Sequence, residues 1–85
     1  MHPAWLKTPF TDAEVAALGR PRGRVTRAAR PMVTALQAFK ARLQPGDEVW
    51  SYDAPQAAWQ DLHGERGLAI VRGGQVVETL VLMEN

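Results

Sequence analysis

The sequence predicts a single α+β domain in which two N-terminal helices are followed by a three-stranded sheet, built as strand, short helix and β-hairpin. Three observations carry this. Met32, Leu36, Phe39 and Leu43 recur at helical spacing. Gly67 to Arg72 and Gln75 to Met83 are rich in Val, Ile and Leu and are separated by Gly73-Gly74, a two-residue hairpin signal. The chain has 85 residues, 46% hydrophobic and 22% charged, which suits one small globular domain and excludes a disordered chain.

In chain order, residues 1–10 read as a mobile arm, residues 11–44 as a basic helical part and residues 45–85 as the sheet part of one domain. Thr11-Asp12-Ala13-Glu14 fits a capping box, with Phe10 and Val15 placed for a hydrophobic staple. The short helix this opens runs to Leu18 and ends at Gly19. Arg20-Pro21-Arg22-Gly23-Arg24 is an exposed basic linker. The second helix covers Met32 to Leu43, with its start open between Thr26 and Pro31, because Pro31 would delete a hydrogen bond in any helix that began earlier.

Gln44-Pro45-Gly46-Asp47 places proline and glycine where a type II turn wants them, which reverses the chain into a strand from Glu48 to Tyr52. Asp53-Ala54-Pro55 starts a short helix that carries Ala58, Trp59 and Leu62 on one side and ends at Gly64. Strand order stays open at this level. If Arg72 faces Gln75, then Leu68, Ile70, Val77, Val81 and Met83 share one face, and Ala69, Val71, Val76, Leu80 and Leu82 share the other. Both faces are apolar, so the sheet needs cover on two sides, from the chain's own helices or from another subunit.

Gly46-Asp47-Glu48-Val49-Trp50, Ser51 to Pro55, Trp59 to Gly64 and Gly67 to Arg72 together form a pattern of turns, tryptophans and strands. That pattern, over roughly the last 40 residues, resembles small uncharacterised bacterial or phage proteins. The resemblance implies an α+β fold and a bacterial or phage origin. It implies no activity, cofactor or partner.

Composition narrows the chemistry. There is no cysteine, which removes disulfides, thiolate metal sites and a cysteine nucleophile. A metal site would have to use His2 and His63 with carboxylates, and Asp61 and His63 are too close in sequence to share a helix face, so no metal or cofactor is expected. Ser51, His63 and Asp53 or Asp61 supply the residue types of a hydrolase triad, but Ser51 sits inside a strand without a nucleophile-elbow motif. Glu48 with Asp61 could act as paired acid and base, yet scattered carboxylates produce such pairs by coincidence. No catalytic residue is assigned and an enzyme is not expected. No apolar run suits a leader peptide or a membrane span, so no membrane contact and a cytoplasmic location are expected.

Charge is more informative. The formal net charge is +1, yet Val15 to Gly46 holds seven bases and no acid, while residues from Asp47 onward hold seven acids against two bases. Arg20, Arg22, Arg24, Arg27 and Arg30, with help from Lys40, could bind nucleic-acid phosphates or a partner, or could be solvated or neutralised internally by Asp53, Asp61 and Glu65. Trp5, between prolines and ahead of the first helix, could fold onto the core or anchor a partner. A small core and a two-sided apolar sheet make a protein-interaction module the leading expectation, acting as a homodimer, adaptor or small inhibitor. A nucleic-acid-binding module using Arg20 to Arg30 is the alternative, and a hydrolase a remote one.

Overall fold

The computed structural model describes residues 1–85. A 3₁₀ turn over Pro3–Trp5 leads into β1 (Leu6–Pro9), followed by α1 (Asp12–Ala17), α2 (Arg30–Ala41), β2 (Glu48–Asp53), α3 (Gln56–Gln60), β3 (Glu65–Arg72) and β4 (Gln75–Glu84). The α+β class is as expected. The sheet has four strands instead of three, in the order β1-β2-β3-β4, with every neighbouring pair antiparallel. The added strand is Leu6–Pro9, inside the segment that the sequence presents as an arm. It pairs Leu6 with Tyr52 and Pro9 with Trp50, and Pro9 is tolerable because β1 lies at the sheet edge.

Local chemistry fixes the helices. Thr11 Oγ1 accepts from the Glu14 amide at 3.1 Å and Glu14 Oε1 accepts from the Thr11 amide at 2.9 Å, completing the capping box. These bonds also hold the Glu14 carboxyl below its ordinary pKa. Gly19 follows with φ +72°, and a Cβ there would meet Gln37 Cγ at 2.7 Å, so glycine lets α1 and α2 approach. The second helix starts at Arg30, with Pro31 in its first turn where a missing amide costs nothing. It ends at Ala41, two residues short of the sequence reading, as the Arg42 and Leu43 amides turn inward onto the Phe39 and Lys40 carbonyls.

The turn before β2 forms as read: the Asp47 amide donates to the Gln44 carbonyl at 3.0 Å, and Gly46 has φ +88°. Asp47 also accepts from the Gln44 amide and takes both Arg72 Nε and Nη2 at 2.8 Å in a two-pronged pair. The loop into β2 is thereby tied to the end of β3. Arg72 donation, then the Gln44 amide, lowers the Asp47 carboxyl to about 2.

At the other end of β2, Trp59 Nε1 donates to Asp53 Oδ1 at 2.9 Å, Arg66 pairs with Asp53 at 3.3 Å, and the Arg66 guanidinium lies 5.6 Å from the Trp59 ring centre. Gly64 lies against that ring, where a Cβ would come within 2.1 Å of it. The third helix ends earlier than the sequence suggests. Leu62 amide to Trp59 carbonyl and His63 amide to Ala58 carbonyl form a Schellman motif, with Leu62 in the left-handed position at φ 62° and its side chain exposed. Leu62 therefore leaves the apolar side it was expected to share with Ala58 and Trp59.

The core lies between the helices and one sheet face. Phe39, Val49, Leu68 and Ile70 are its buried centre, with Phe10, Val15, Leu18, Leu36, Leu43 and Leu80 packed around them. Leu80 belongs here because β4 carries two bulges: Val71 pairs with Val76 but Ile70 with Glu78, and Gly67 pairs with Val81 but Arg66 with Met83. Val77, the extra residue of the first bulge, flips the stretch that follows, so Leu80 faces Leu68 and not the side of Ala69 as simple alternation suggests, while Val81, expected beside Leu68, faces the other side. Leu82, the extra residue of the second bulge, flips the strand back at Met83. Tyr52, Ala69 and Val71 are buried on the opposite face. The N-terminal segment crosses that face: Met1, Pro3 and Leu6 line a cleft with Val76 and Thr79 of β4, and the Met1 ammonium lies 3.9 Å from Glu65 of β3.

Three stability predictions follow from this packing. The Tyr52 hydroxyl is buried without a hydrogen-bond partner, and burial, then Glu65 and Glu84, push its pKa up to about 12. An unsatisfied hydroxyl costs free energy, so Tyr52→Phe raises stability by about 1 kcal/mol in urea unfolding, and a loss of that size would show a hidden partner. Leu62→Gly removes left-handed strain and raises stability by about 0.5–1 kcal/mol in the same assay. Because the folded Asp47 pKa lies below its unfolded value, its stabilising effect is complete above about pH 4 and lost as pH falls through about 2. The gap between the urea midpoints of wild type and Asp47→Asn is therefore widest at neutral pH and closes over that window.

Candidate interaction surfaces

Two surfaces stand out, one made of charge and one of unpaired backbone. The charged surface is the connection between α1 and α2. Its α1 end is pinned: Gln37 Nε2 donates to the Gly19 carbonyl at 3.0 Å, and Lys40 Nζ donates to the Ala16 carbonyl at 2.7 Å. Lys40 thus sits at the carbonyl end of α1, where a cation is favoured, and is engaged in holding the two helices together. Beyond these ties the chain runs exposed from Arg20 to Ala29, with one half-buried side chain, Val25. Thr26 shapes its last turn by accepting from the Ala29 amide through Oγ1 at 3.2 Å.

Arg20, Arg22, Arg24, Arg27 and Arg30 are all exposed. The structure holds four ion pairs: Met1 ammonium with Glu65, Arg42 with Glu78, Arg66 with Asp53, and Arg72 with Asp47. None involves the tract. Internal neutralisation by Asp53, Asp61 or Glu65 is therefore not what the fold does; Asp53 and Glu65 meet Arg66 and Met1 instead. The first turn of α2 adds no counter-charge, since it has no acidic residue and no side-chain cap.

The second surface is the outer edge of β4. This strand is ten residues long, lies at the end of the sheet and has β3 as its one partner. It contains neither lysine nor proline, two common guards of open edges, and its charges are Glu78 and Glu84. Val77, Val81, Leu82 and Met83 are among the exposed large hydrophobics, at 42%, 37%, 39% and 53%. The opposite edge, β1, is short, irregular and ends in Pro9. The edge of β4 was not singled out in the sequence reading, although the two-faced apolar pattern of Gln75 to Met83 was its signal.

Trp5 is half-buried at the end of the N-terminal 3₁₀ turn, where its ring lies 6.4 Å from that of His2 at a tilt of 36°. Ser51 Oγ donates to the Thr8 carbonyl at 3.4 Å, and no hydrogen bond connects it to His63. His63 is exposed beyond α3, and no group of three His, Asp or Glu side chains is placed to hold a metal ion. No helix is long and apolar enough to cross a membrane. No protein-family model matches the chain, and neither a curated protein nor a solved structure matches it.

Proposed function

We propose that the protein is a non-enzymatic interaction module that joins a second copy of itself along β4. The observation that carries this reading is the open ten-residue edge, apolar on both faces and unguarded by proline or lysine. Strand addition satisfies its outward amides and carbonyls, and a small domain gains the most from extra covering surface.

A second copy suits the edge because of where its two acids fall. An antiparallel pair centred on Glu78 puts Glu78 opposite its own copy, and one centred on Val81 puts Glu78 opposite Glu84. Centres on Thr79 or Leu80, within the regular stretch between the bulges, keep all four carboxylates apart. These registers join two four-stranded sheets into one of eight strands, with an isologous interface. The exposed side chains of Val77, Val81, Leu82 and Met83 along this edge would add apolar burial to the strand pairing.

Sedimentation equilibrium at tens of micromolar should give twice the 9.4 kDa chain mass, and Val81→Lys should give the chain mass with an unchanged circular-dichroism spectrum. A wild-type monomer across that range, or a Val81→Lys dimer, would overturn the reading.

A further inference from the structure

We infer that the loop between α1 and α2 is a nucleic-acid phosphate-binding surface formed by Arg20, Arg22, Arg24, Arg27 and Arg30. It is a separate activity from self-association through β4. The observation behind it is a contrast within one molecule. All three arginines outside the tract, Arg42, Arg66 and Arg72, have a carboxylate partner at 3.4, 3.3 and 2.8 Å, whereas all five inside it have none. The fold had acids to offer, for Asp61 and Glu84 are in no ion pair and Glu65 meets only the Met1 ammonium, yet none of them pairs with the tract.

Five exposed guanidinium groups within eleven residues repel one another, and a partner that supplies anions at matching density relieves that repulsion. Duplex nucleic acid carries one charge per about 1.7 Å of axis, and each guanidinium can grip a phosphate with two parallel hydrogen bonds. A lipid surface fits less well. Membrane-surface segments add large apolar side chains that enter the bilayer, and the tract offers two alanines, one proline and a half-buried Val25. The pin at Gly19, and the turn in which the Thr26 carbonyl accepts from the Ala29 and Arg30 amides, limit the ordering entropy lost on binding. Phosphate contacts carry no sequence information, so binding should discriminate little between sequences.

The test is a fluorescence-anisotropy titration of labelled random-sequence duplex DNA, single-stranded DNA and RNA at 50 and 200 mM salt. Four phosphate contacts on a duplex give a slope of about −3.6 in log affinity against log salt, a loss of about 150-fold between the two conditions. Arg22→Ala/Arg24→Ala/Arg27→Ala should abolish measurable binding with an unchanged circular-dichroism spectrum. The corresponding triple lysine variant should retain the salt slope. Arg66→Gln, a charge change outside the tract, should leave affinity within about twofold. Absence of binding to all three nucleic acids at 50 mM salt would overturn the inference. So would full binding by the folded triple-alanine variant, or capture by anionic phosphatidylserine vesicles with none by nucleic acid. A monomer in sedimentation would leave this outcome unaffected, so the two proposals fail separately.

Discussion

The fold is organised by the need to cover β3 on both faces. Five consecutive residues, Gly67 to Val71, are buried, which no two-layer arrangement with one wet sheet face would allow. The helices supply one cover through Phe39 and Leu36, and the N-terminal turn supplies the other by crossing the sheet toward β4. Gly67 is the point of closest approach. A Cβ there would lie 2.0 Å from the Leu80 carbonyl oxygen and 3.1 Å from the Tyr52 hydroxyl. The tight fit that buries Tyr52 is also what leaves its hydroxyl without a partner, so the structure accepts one unmet hydrogen bond in exchange for a closed second face.

What was legible in the sequence was what short-range chemistry decides. The capping box at Thr11, the type II turn at Gly46 and the Gly73-Gly74 hairpin, with φ of +58° and +79°, each need only neighbouring residues to specify them. The first strand was not legible, because Leu6-Lys7-Thr8-Pro9 has no apolar alternation and becomes a strand through β2, some 40 residues away. The two bulges in β4 were equally hidden. Nothing in Gln75 to Met83 marks Val77 or Leu82 as the extra residue, yet the Val77 bulge decides that Leu80 enters the helix-side core. Leu62 misleads in another way, since it takes the left-handed position that glycine or asparagine usually fills.

The candidate surfaces divide along the same line. Charge position was legible; charge pairing was not. Asp47 and Arg72 meet only because β2 and β3 are adjacent, and Asp53 meets Arg66 only because α3 returns the chain antiparallel. Gly46, Asp47, Trp59, Gly64 and Arg72 are all fasteners in the structure: a positive-φ turn, an ion pair closing the β2–β3 end, and a tryptophan laid on a glycine. Such residues would be required by the fold whatever it binds. Both surfaces proposed for binding, the arginine loop and β4, lie outside them.

The segregation of charge has a geometric consequence when the two surfaces are considered together. The sheet half answers Arg42, Arg66, Arg72 and the Met1 ammonium with its own carboxylates, so the uncompensated positive charge gathers on the loop beside α2. An antiparallel β4 pair relates two copies by an axis normal to the sheet, which leaves both helix layers on the same side of the eight-stranded sheet. The Arg42–Glu78 pair bridges from the end of α2 to β4 in each copy. Two arginine loops would then be carried on one side of a single rigid body. If one loop held a phosphate backbone, the second would meet it at the effective concentration the geometry sets, which would add to binding by a single loop without being required for it.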